Sequence, residues 1–480
     1  MNKPPTLAVI GLGYVGLPLA ILAAKKGWRV IGVDVDEQKL RAIKARASPF
    51  SDSRVQEDLR QGVAIETTGD FSVIRSADII VICVPTPVHD NFSPDLEPLM
   101  NAACSIAGHL KRRALVVVES TVNPGVTEDM VAPLLEVGSG FIVGQDIHLA
   151  HCPERINPGD AEWPLEKIPR VAGAGDPRGL KKTLAFYRSI LNAEVRPMQS
   201  IREAEAVKVV ENAFRDINIA FVNELACSFN ALKIDLVNVL EGAAIKPFGF
   251  MAHFPGCGVG GHCIPVDPYY LIQYAKDNGF EHRFLALARE INNNMPRFTV
   301  RLLKQCFHER SMSLHGRKIA VLGLAYKPDI DDDRNSPSYA IVSHLERLGA
   351  LISTFDPYVK AHSSVPALES ALAGADGVII ATAHRKFREL TPDIFEIFGV
   401  KIVVDGRNCL HDAQKDFARR GILYRGIGAS FPEETPAPDE HKSAWMPKTS
   451  IDITSRNRTT IERSFGHEDT ANPVLEADFF

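Results

Sequence analysis

A chain of 480 residues is too long for one ordinary hydrophobic core, so two or three domains are expected. Its composition, 45% hydrophobic and 24% charged, is that of a soluble globular protein, and a net charge of -5 gives no electrostatic reason to expect a nucleic-acid partner. The eight cysteines are scattered singly, with no Cys-x-x-Cys pair. This pattern argues against a disulfide framework and against a zinc site. We therefore expect no metal and a cytoplasmic location in which the thiols stay reduced.

The beginning of the chain has two interpretations. Residues 6–24 are nearly all apolar and follow a basic residue, as in a signal peptide or a membrane anchor. However, three glycines and Pro18 would interrupt a membrane-spanning helix, whereas they suit a strand, a turn and a helix. We therefore expect a buried strand–turn–helix unit here and no membrane partner.

The first part of the chain alternates between short apolar runs and segments with helical spacing. An apolar run at residues 7–10 precedes a glycine-rich turn, a helix-like stretch to Lys26, a second run at residues 30–33 and then Asp34. Together these segments predict one βαβ unit. Further buried strands are predicted at residues 79–84, 115–119 and 147–151. Such alternation is typical of a parallel, doubly wound sheet.

A long helix and a second α/β segment follow. Residues 200–232 lack Pro and Gly and carry apolar residues at helical spacing, which predicts one continuous helix. From Gly316 the plan of the N-terminus recurs in degenerate form, with strands predicted at residues 318–323, 352–356, 377–381 and 401–405.

These elements predict an α/β fold class, with two Rossmann-like doubly wound parallel-sheet domains joined by a long central helix and a small helical domain. We assign residues 1–199 to the N-terminal domain, residues 200–315 to the central helical domain and residues 316–430 to the C-terminal α/β domain. Residues 431–480 are rich in proline and charge. We expect a disordered tail there, because such a segment buries too little apolar surface to offset chain entropy.

The glycine-rich turn predicts a dinucleotide site. Gly11, Gly13 and Gly16 lie between a predicted strand and a predicted helix, and Asp34 follows the next strand. In this pattern the first glycine makes the tight turn, the second lets the backbone approach a pyrophosphate, and the third permits close helix–strand packing. The carboxylate accepts from the adenosine ribose and repels a 2′-phosphate, so NAD is favoured over NADP. The alternative is a glycine turn in a cofactor-free α/β domain.

Cys263 differs from the other cysteines in its neighbours. Three glycines precede it within five residues, which would let backbone amides crowd a ligand, and Asp267 stands one helical turn beyond. Only a few per cent of an ordinary thiol is ionised at neutral pH, so amide dipoles or a cation would have to activate it. The alternative is an inert, buried cysteine; Cys257, which has no carboxylate at that spacing, serves as the comparison.

Two polar residues of the predicted long helix form a second candidate group. Lys208 and Asn212 are four residues apart and therefore share a helix face. A helical lysine is usually solvated, but Lys208 stands among valines, which favours a position in a cleft. An ammonium and an amide that project together would suit a developing oxyanion.

Seven motifs, in order along the chain, resemble those of the UDP-glucose/GDP-mannose dehydrogenase family. They are the turn at residues 11–16, Val84-Pro-Thr-Pro, Glu119-Ser-Thr-Val-Asn-Pro-Gly, Cys152-Pro-Glu-Arg, Glu205-Ala-Val-Lys-Val-Val-Glu-Asn, Gly260-Gly-His-Cys-Ile-Pro-Val-Asp-Pro, and Gly323-Leu-Ala-Tyr-Lys-Pro-Asp with Arg334-Asn-Ser-Pro. Together they span nearly all of residues 5–430, which makes the set far more specific than any one motif.

The resemblance implies an NAD domain, a helical centre that forms a homodimer through the long helix, and a C-terminal domain for the UDP part of a UDP-sugar substrate. It implies a four-electron oxidation that uses two NAD per sugar and passes through a thiohemiacetal and a thioester on Cys263. By this likeness, Lys208 and Asn212 would hold the oxyanion, and Asp267 and Thr121 would position or activate water. Glu154 would assist proton transfer.

The resemblance also implies two sets of binding residues. The cofactor set comprises Gly11, Gly13, Tyr14, Val15, Gly16, Asp34, Lys39, Thr86, Thr121 and Arg334. The substrate set comprises Glu154, Arg155, Lys208, Asn212, Arg215, Gly260, Tyr326, Lys327 and Arg407.

Three segments resemble the branch that acts on UDP-N-acetylglucosamine or UDP-N-acetylmannosamine and supplies precursors of surface polysaccharides. They are Cys152-Pro-Glu-Arg-Ile-Asn-Pro-Gly, Arg215-Asp-Ile-Asn-Ile-Ala and Lys246-Pro-Phe-Gly-Phe. The plain UDP-glucose branch usually has Ser before the reactive cysteine, whereas this chain has His262. In addition, Cys257 stands where the family commonly has Pro, which predicts a looser loop ahead of Cys263.

Several other functions stay open on the sequence alone. UDP-glucose or GDP-mannose is the alternative substrate within the family. A single-hydride β-hydroxyacid dehydrogenase would need neither a nucleophilic thiol nor a second α/β domain. A non-catalytic regulator that binds NAD or a nucleotide sugar would need none of Cys263, Lys208 and Asp267.

Overall fold

A computed structural model of the chain describes residues 4–50, 52–89, 93–156 and 162–429. The expected tail at residues 431–480 lies outside these ranges. Within them, no helix combines the length and the apolar character needed to cross a membrane. The apolar start of the chain forms a strand, a turn and a helix, as the glycines predict.

The N-terminal part of the chain forms one eight-stranded sheet. Its strands are β1 (Thr6–Ile10), β2 (Arg29–Val33), β3 (Glu66–Thr68), β4 (Ile79–Ile82), β5 (Leu115–Val118), β6 (His148–His151), β7 (Arg170–Ala174) and β8 (Val195–Pro197). Among the described residues the helices between them are α1 (Gly16–Lys25), α2 (Glu37–Lys44), α3 (Ser53–Arg60), α4 (Glu97–Ala107), α5 (Ala132–Ser139) and α6 (Pro177–Ile190).

The strand order of this sheet is β3-β2-β1-β4-β5-β6-β7-β8. Strands β1, β4, β5 and β6 are buried along their whole length, as expected for strands covered on both faces. Along β1, successive side chains alternate between two hydrophobic clusters on opposite faces of the sheet. The predicted parallel pairing holds except between β6 and β7, which are antiparallel.

The centre of the chain is helical, with α7 (Ile201–Leu232), α8 (Leu236–Ala244), α9 (Asp267–Asp277) and α10 (Arg283–Glu309). Helix α7 begins where the sequence predicts, because the Ser200 hydroxyl accepts from Glu203 N and caps the first turn. Side chains of α7 and α10 share one core with the C-terminal sheet. This shared core fixes the central helices against the C-terminal domain.

The C-terminal part is a five-stranded parallel sheet of order β10-β9-β11-β12-β13. Its strands are β9 (Lys318–Leu322), β10 (Leu351–Phe355), β11 (Gly377–Ile380), β12 (Ile402–Asp405) and β13 (Leu423–Gly426), and its helices are α11 (Pro337–Arg347), α12 (Leu368–Leu372), α13 (Arg385–Arg388), α14 (Pro392–Ile397) and α15 (Gln414–Arg419). The predicted fold class, two Rossmann-like sheets about a helical centre, is therefore confirmed. The domain boundaries drawn from the sequence stay predictions.

Candidate active site

The turn after β1 requires its glycines. Gly11 has a φ of +91°, and a Cβ there would lie 2.8 Å from the Cys83 carbonyl oxygen. A Cβ on Gly16 would lie 1.9 Å from the Gly11 carbonyl oxygen, so the start of α1 approaches the turn too closely for any side chain. Gly13 differs, since nothing lies within 4 Å of the position its Cβ would take. The open space beside this backbone fits the approach of a pyrophosphate.

Asp34 follows β2 and is fixed beside this turn. Its Oδ2 accepts from Leu12 N at 2.7 Å and its Oδ1 accepts from Asp36 N at 2.9 Å. The Lys39 ammonium lies 3.6 Å from Asp34 Oδ2. An ionised carboxylate has about four lone-pair sites, so acceptor capacity is left for a pair of hydroxyls. The residues present therefore fit the adenosine end of NAD.

The other predicted cofactor residues come from three separate segments. Thr86 follows β4 and donates through Oγ1 to the carbonyl oxygen of Thr121, which follows β5, at 2.7 Å. The Tyr270 hydroxyl of α9 donates to the Thr86 carbonyl oxygen, which ties the central helices to this edge of the sheet. Val15 immediately precedes α1 and packs partly against the N-terminal core.

Arg334 reaches the same edge from the C-terminal domain. Its Nε and Nη2 donate to the two carboxylate oxygens of Asp332, at 2.9 and 2.6 Å. The guanidinium carbon lies 5.9 Å from the centroid of the Tyr14 ring in the glycine turn. The structure thus brings Arg334 to the predicted dinucleotide site; its contact with the cofactor stays a prediction.

The glycines before Cys263 pack against the C-terminal domain. A Cβ on Gly260 would lie 2.7 Å from Tyr326 Cβ, and one on Gly261, whose φ is +90°, would lie 2.8 Å from the Tyr326 ring. Gly261 N also donates to the Arg334 carbonyl oxygen at 2.9 Å. On the side of the loop toward which a Cβ would point, Tyr326 takes the space beside these glycines. The expectation that the glycines let amides crowd a ligand is therefore wrong for that side.

The expectation that Cys257 loosens this loop is also wrong. Cys257 is fully buried, its N donates to the Gly406 carbonyl oxygen at 3.0 Å, and its Sγ donates to the Ala381 carbonyl oxygen at 3.3 Å. A proline has no N–H to make the first of these bonds. Cysteine at this position therefore adds a tie between the loop and β11–β12.

The Cys263 thiol lies close to the polar face of α7 that the sequence predicts. Lys208 and Asn212 are both 8% exposed; the Lys208 ammonium donates to the Glu154 carbonyl oxygen at 2.6 Å, and Asn212 Nδ2 donates to Asp267 Oδ2 at 2.5 Å. Asp267 begins α9, where its N donates to the Cys263 carbonyl oxygen at 2.8 Å. One group therefore contains the partly buried Cys263 and these four buried polar residues, drawn from the segment after β6, from α7 and from the start of α9.

Burial dominates the electrostatics of this group. It raises the pKa of Asp267 to about 6, although the charge of Lys208 and the hydrogen bond from Asn212 act in the opposite sense. It raises the pKa of Cys263 to about 12, to which the Asp267 carboxylate adds and which Lys208 opposes. Lys208 is thus the cation that opposes this shift, as the sequence analysis requires of an activating group, but burial outweighs it.

The predicted substrate residues surround this group from two sides. Arg155 is bound to Glu211 on α7 through Nε at 3.0 Å and through Nη2, and Arg215 is exposed three residues beyond Asn212 on the same helix. From the C-terminal domain, Arg407 donates through Nε to the Ala381 carbonyl oxygen at 2.9 Å and lies against Gly256.

Tyr326 and Lys327 follow β9 in the same loop as Arg334 and are half-buried. Burial, followed by the charge of Asp332, raises the pKa of the Tyr326 hydroxyl to about 12, so this group stays a hydrogen-bond donor at any physiological pH.

Sequence reasoning missed two charged residues behind this site. Arg170, the first residue of β7, is 1% exposed and lies 3.4 Å from Glu154 and 3.5 Å from Glu119. Glu119 could have been found from the sequence, since it is the first residue of the motif Glu119-Ser-Thr-Val-Asn-Pro-Gly. Arg170 lies in a strand that the hydrophobic pattern did not predict. Among the described residues no group of three or more His, Cys, Asp or Glu side chains could hold a metal ion.

The structure combines a dinucleotide-type glycine turn, a helical centre that carries Cys263 and a second α/β domain. This combination is typical of one class of protein, the NAD-dependent dehydrogenases with a separate nucleotide-binding domain. The sequence matches the NAD-binding, central and UDP-binding domains of the UDP-glucose/GDP-mannose dehydrogenase family over residues 5–191, 202–294 and 320–412. The chain belongs to this family, and the predicted NAD-dependent oxidoreductase is confirmed.

The chain is similar to named relatives over most of its length. It is 36% identical to the UDP-N-acetyl-D-mannosamine dehydrogenase of Pyrococcus horikoshii, over 88% of this chain and 99% of the relative. It is 36% identical to the UDP-N-acetyl-D-glucosamine 6-dehydrogenase of Pseudomonas aeruginosa, over 81% of this chain and 92% of the relative. The solved structure of the Pyrococcus horikoshii UDP-D-ManNAc dehydrogenase superposes with a TM-score of 0.83 at 34% identity, over 88% of this chain and 99% of that one.

Proposed function

We propose that the protein oxidises the C6 hydroxymethyl group of a UDP-N-acetylhexosamine, UDP-N-acetylglucosamine or UDP-N-acetylmannosamine, to the uronate through a thioester on Cys263. The observation that carries this proposal is the position of the partly buried Cys263 beside the buried residues Asp267, Asn212 and Lys208. Hydride transfer alone stops at an aldehyde, whereas a thiol gives a route to the acid. The names of the similar proteins support the choice of sugar.

The chain's own residues provide binding and proton transfer. NAD, held by the turn at residues 11–16 and by Asp34, would supply the hydride acceptor for both oxidations, which makes two NAD per sugar. Glu154 assists removal of the alcohol proton as the aldehyde forms. The Cys263 sulfur then bonds to C6 while the carbonyl π bond breaks and the carbonyl oxygen takes up the thiol proton, which gives a thiohemiacetal. Lys208 and Asn212 stabilise the oxygen as its charge develops, and one such donor is typically worth about 10²–10³ in rate.

In the second oxidation C6 of the thiohemiacetal loses its remaining hydrogen as a hydride and the hydroxyl loses its proton to solvent, which gives the thioester, and hydrolysis completes the reaction. Water attacks C6, the carbon–sulfur bond breaks, and the thiol and the uronate are released. Asp267, with its pKa raised to about 6 by burial, is mostly ionised at neutral pH and is therefore a base of suitable strength for this water. Thr121 positions the same water from the end of β5.

The test is the number of NADH formed per UDP-sugar consumed. The substrates are UDP-N-acetylglucosamine, UDP-N-acetylmannosamine, UDP-N-acetylgalactosamine, UDP-glucose and GDP-mannose, with Cys263→Ser alongside. We expect two NADH with an N-acetylhexosamine and loss of turnover in the variant. Cys104→Ser is the matched control, because Cys104 is exposed on α4 and has no part in the site.

Other outcomes would assign the protein differently. One NADH per substrate and an unaffected Cys263→Ser variant would indicate a simple alcohol dehydrogenase. Two NADH with UDP-glucose or GDP-mannose alone would keep the thioester and reject the N-acetylhexosamine. Binding of both ligands without NADH would indicate a regulator.

The exposed apolar side chains of the central domain support a homodimer formed through α7. Val210, Phe214 and Phe221 are each about half exposed on α7, and Phe284 and Leu287 are exposed at the start of α10. Such a concentration of exposed apolar residues is typical of an interface. We expect light scattering to give twice the 52.7 kDa mass of one chain, and Phe214→Glu with Phe221→Glu to give a monomer.

A further inference from the structure

A cavity with a strongly basic lining lies between α10 and α11. Its volume is about 470 Å³, within the range of about 300–1,000 Å³ that is usual for small-molecule sites. None of its seven lining residues belongs to the predicted cofactor set or the predicted substrate set. Two of the seven, Val300 and Leu348, are apolar. The other five are basic: Arg297, Arg301, Lys304, His344 and Arg347.

Helical spacing brings these basic residues to one space. Arg297, Arg301 and Lys304 are four and three residues apart on α10 and therefore share a face of that helix. His344 and Arg347, three residues apart on α11, line the same cavity. Side chains of both helices belong to the core that they share with the C-terminal sheet. A single basic helix face is usually just solvated, whereas here the fold holds two such faces around one cavity.

No carboxylate balances the charge of this cavity. Within the described ranges, none of the three arginines and Lys304 forms an ion pair with an acidic side chain, and no acidic residue is part of the lining. Arg347 Nη2 donates to His344 Nδ1 at 2.7 Å, so the imidazole is neutral and carries its proton on Nε2. Burial, followed by the charges of Arg347 and Arg297, lowers the pKa of His344. Four cations and one imidazole N–H are therefore available to an anion.

Phosphate groups suit this lining. The planar guanidinium pairs with two phosphate oxygens at once, and a lysine adds a compact point charge. One phosphate monoester carries a charge of about −1.5 to −2 at pH 7, so two phosphate groups would balance the four cations. Along α10 the basic residues from Arg297 to Lys304 span about 10 Å, at 1.5 Å per residue. That length accommodates two or more linked phosphates.

The cavity adjoins the loop that carries the thiol. Pro296 precedes Arg297 on α10, and Pro337 is the first residue of α11. A Cβ on Gly258 would lie 3.4 Å from Pro296 Cδ and 2.9 Å from Pro337 Cβ, so both helices contact the loop five residues before Cys263. A ligand that changed the separation of α10 and α11 would therefore move the two surfaces that hold this loop.

We propose that the cavity between α10 and α11 is a second ligand site, which binds a small molecule with two or more phosphate groups and changes the rate of oxidation through the loop at Gly258. The site is separate from the glycine turn and from the Cys263 thiol. It goes beyond the proposed function, and its binding step needs no turnover, so binding can be tested whatever sugar the enzyme oxidises.

The first test is isothermal titration calorimetry of the full chain with inorganic pyrophosphate, at an ionic strength of about 0.15 M. Saturating NADH and UDP occupy the NAD-binding and UDP-binding domains and exclude the probe from them. We expect Arg301→Gln and Arg347→Gln each to weaken pyrophosphate binding about tenfold or more, since each removes a charge-assisted contact from its own helix. Arg419→Gln, an exposed arginine on α15 outside the cavity, is the matched control and should change it less than twofold.

The second test measures kcat with saturating NAD and a saturating amount of the UDP-sugar that gives the highest turnover. Under these conditions pyrophosphate no longer competes at the active site. It should change kcat by about twofold or more in the wild type and in Arg419→Gln, and leave kcat unchanged in Arg301→Gln and Arg347→Gln. The three arginines are exposed, so all variants should keep the wild-type melting temperature.

Several outcomes would overturn the proposal. Absence of pyrophosphate binding, or an unchanged affinity in either cavity variant, would reject the site. Equal affinities for pyrophosphate, inorganic phosphate and sulfate would show an adventitious ion only. A change of mass by light scattering in Arg301→Gln or Arg347→Gln would make the cavity a contact between two copies of the chain.

The kcat result separates this proposal from the thioester reaction. Pyrophosphate binding without any effect on kcat would reject the action on the loop at Gly258. One NADH per sugar would reject the thioester on Cys263 and leave the calorimetric result as it stands. Binding that depends on both arginines, together with a change in kcat that disappears in both cavity variants, would establish the second site.

Discussion

The two glycine turns of the molecule have the same local structure. In the first, Gly11 has a φ of +91°, and Leu12 N donates to Asp34 Oδ2 at 2.7 Å. In the second, Gly323 has a φ of +97°, and Leu324 N donates to Asp356 Oδ2 at 2.6 Å. In both, the aspartate follows the strand that lies beside the glycine-bearing strand. The degenerate repeat inferred from the sequence is thus visible at the level of single hydrogen bonds.

The two aspartates differ in what else they bind. Asp356 is fully buried; its Oδ1 accepts from Tyr358 N at 2.8 Å and Val359 N at 2.9 Å, and its Oδ2 also lies 2.9 Å from His384 Nε2. Since His384 Nδ1 accepts from Asp329 N, the imidazole proton is on Nε2 and is donated to Asp356. The protein therefore uses the whole acceptor capacity of Asp356, whereas Asp34 retains some for a ligand.

The turns also differ in the distance to the next helix. Helix α1 begins at Gly16, directly after the first turn, whereas α11 begins only at Pro337, after a loop of residues 324–336. That loop carries Tyr326 and Arg334 toward the thiol and toward the first turn. Where the N-terminal domain has the N-terminus of a helix, the C-terminal domain thus has a loop, and this loop adds residues to the candidate site of the N-terminal domain. We therefore expect hydrogen bonding beyond the shared turn, rather than the turn itself, to decide which copy binds a dinucleotide.

Replacement of Asp356 should have the largest effect, and on stability. Asp356→Ala removes the buried acceptor of His384 and of four backbone N–H groups, those of Leu324, Ala325, Tyr358 and Val359. The free energy of unfolding should therefore fall by about 4 kcal/mol. NADH affinity of the protein that remains folded should change less than twofold. The measurements are urea denaturation and NADH fluorescence, at a temperature where the variant is folded. A stable Asp356→Ala protein with weakened NADH binding would mean that the second turn also serves the dinucleotide.

Asp34→Ala should give the converse result. Loss of a charged acceptor for the ribose should weaken NAD binding by about 10- to 100-fold, with a small change in melting temperature. In addition, Lys39 would lose the carboxylate 3.6 Å away, and NADPH should then bind better than it does to the wild type. Titration of both nucleotides against wild type and variant measures this. Equal loss for NAD and NADPH would indicate that Asp34 supports the turn rather than selects the cofactor.

A third aspartate, Asp267, has a pKa shifted in the opposite direction from that of Asp356. Although burial acts to raise the pKa of Asp356, its hydrogen bonds from His384 and the backbone hold that pKa well below the usual range, whereas burial raises the pKa of Asp267 to about 6. The ionised form therefore stabilises the fold at Asp356 and destabilises it at Asp267. The contribution of Asp267 to stability is fully present below its unfolded pKa near 4 and is lost as pH rises to about 6.

Asp267→Asn should consequently stabilise the protein by about 3 kcal/mol at pH 7.5 and by only about 1 kcal/mol at pH 4.5, because each unit of pKa shift corresponds to about 1.4 kcal/mol and the shift from near 4 to about 6 is only partly expressed at the lower pH. The same variant should lose uronate formation. Urea denaturation at the two pH values, with Asp277→Asn at the exposed end of α9 as control, measures the difference. A stabilisation equal at both pH values would show that charge is not the cause.

The sequence predicted those features that short-range patterns encode. The first turn, the long helix α7 and the buried strands follow from glycine spacing and apolar periodicity, and the order of motifs indicated the family. Strands β3 and β8 were missed because each has only three residues, and β7 because it begins with a charged residue. For such strands, pairing with neighbours rather than composition determines the structure.

The errors around Cys263 have a common physical cause. The glycines at 260 and 261 pack against Tyr326, and Cys257 N donates to the Gly406 carbonyl oxygen. At each of these positions, the residue that fits is therefore determined by a neighbour far along the chain. Glycine spacing alone does not show whether the space beside a glycine holds a ligand or a side chain of the protein itself. Likewise, burial of the thiol, which sets its pKa, is a property of the assembled domains rather than of the motif.

Arg334→Gln should have the smallest effect. It tests whether the loop of residues 324–336 in the C-terminal domain helps to bind the cofactor at the glycine turn of the N-terminal domain. The guanidinium lies 5.9 Å from the Tyr14 ring centroid and is about half exposed, so its contribution to a bound anion is partly screened. We expect NADH binding to weaken about threefold, a loss that grows at low ionic strength, with no change in melting temperature. Arg419→Gln, an exposed arginine on α15 in the same domain, is the matched control for the loss of one charge. If both variants weaken binding equally, the effect is one of net charge, and the loop of residues 324–336 reaches the thiol but not the cofactor.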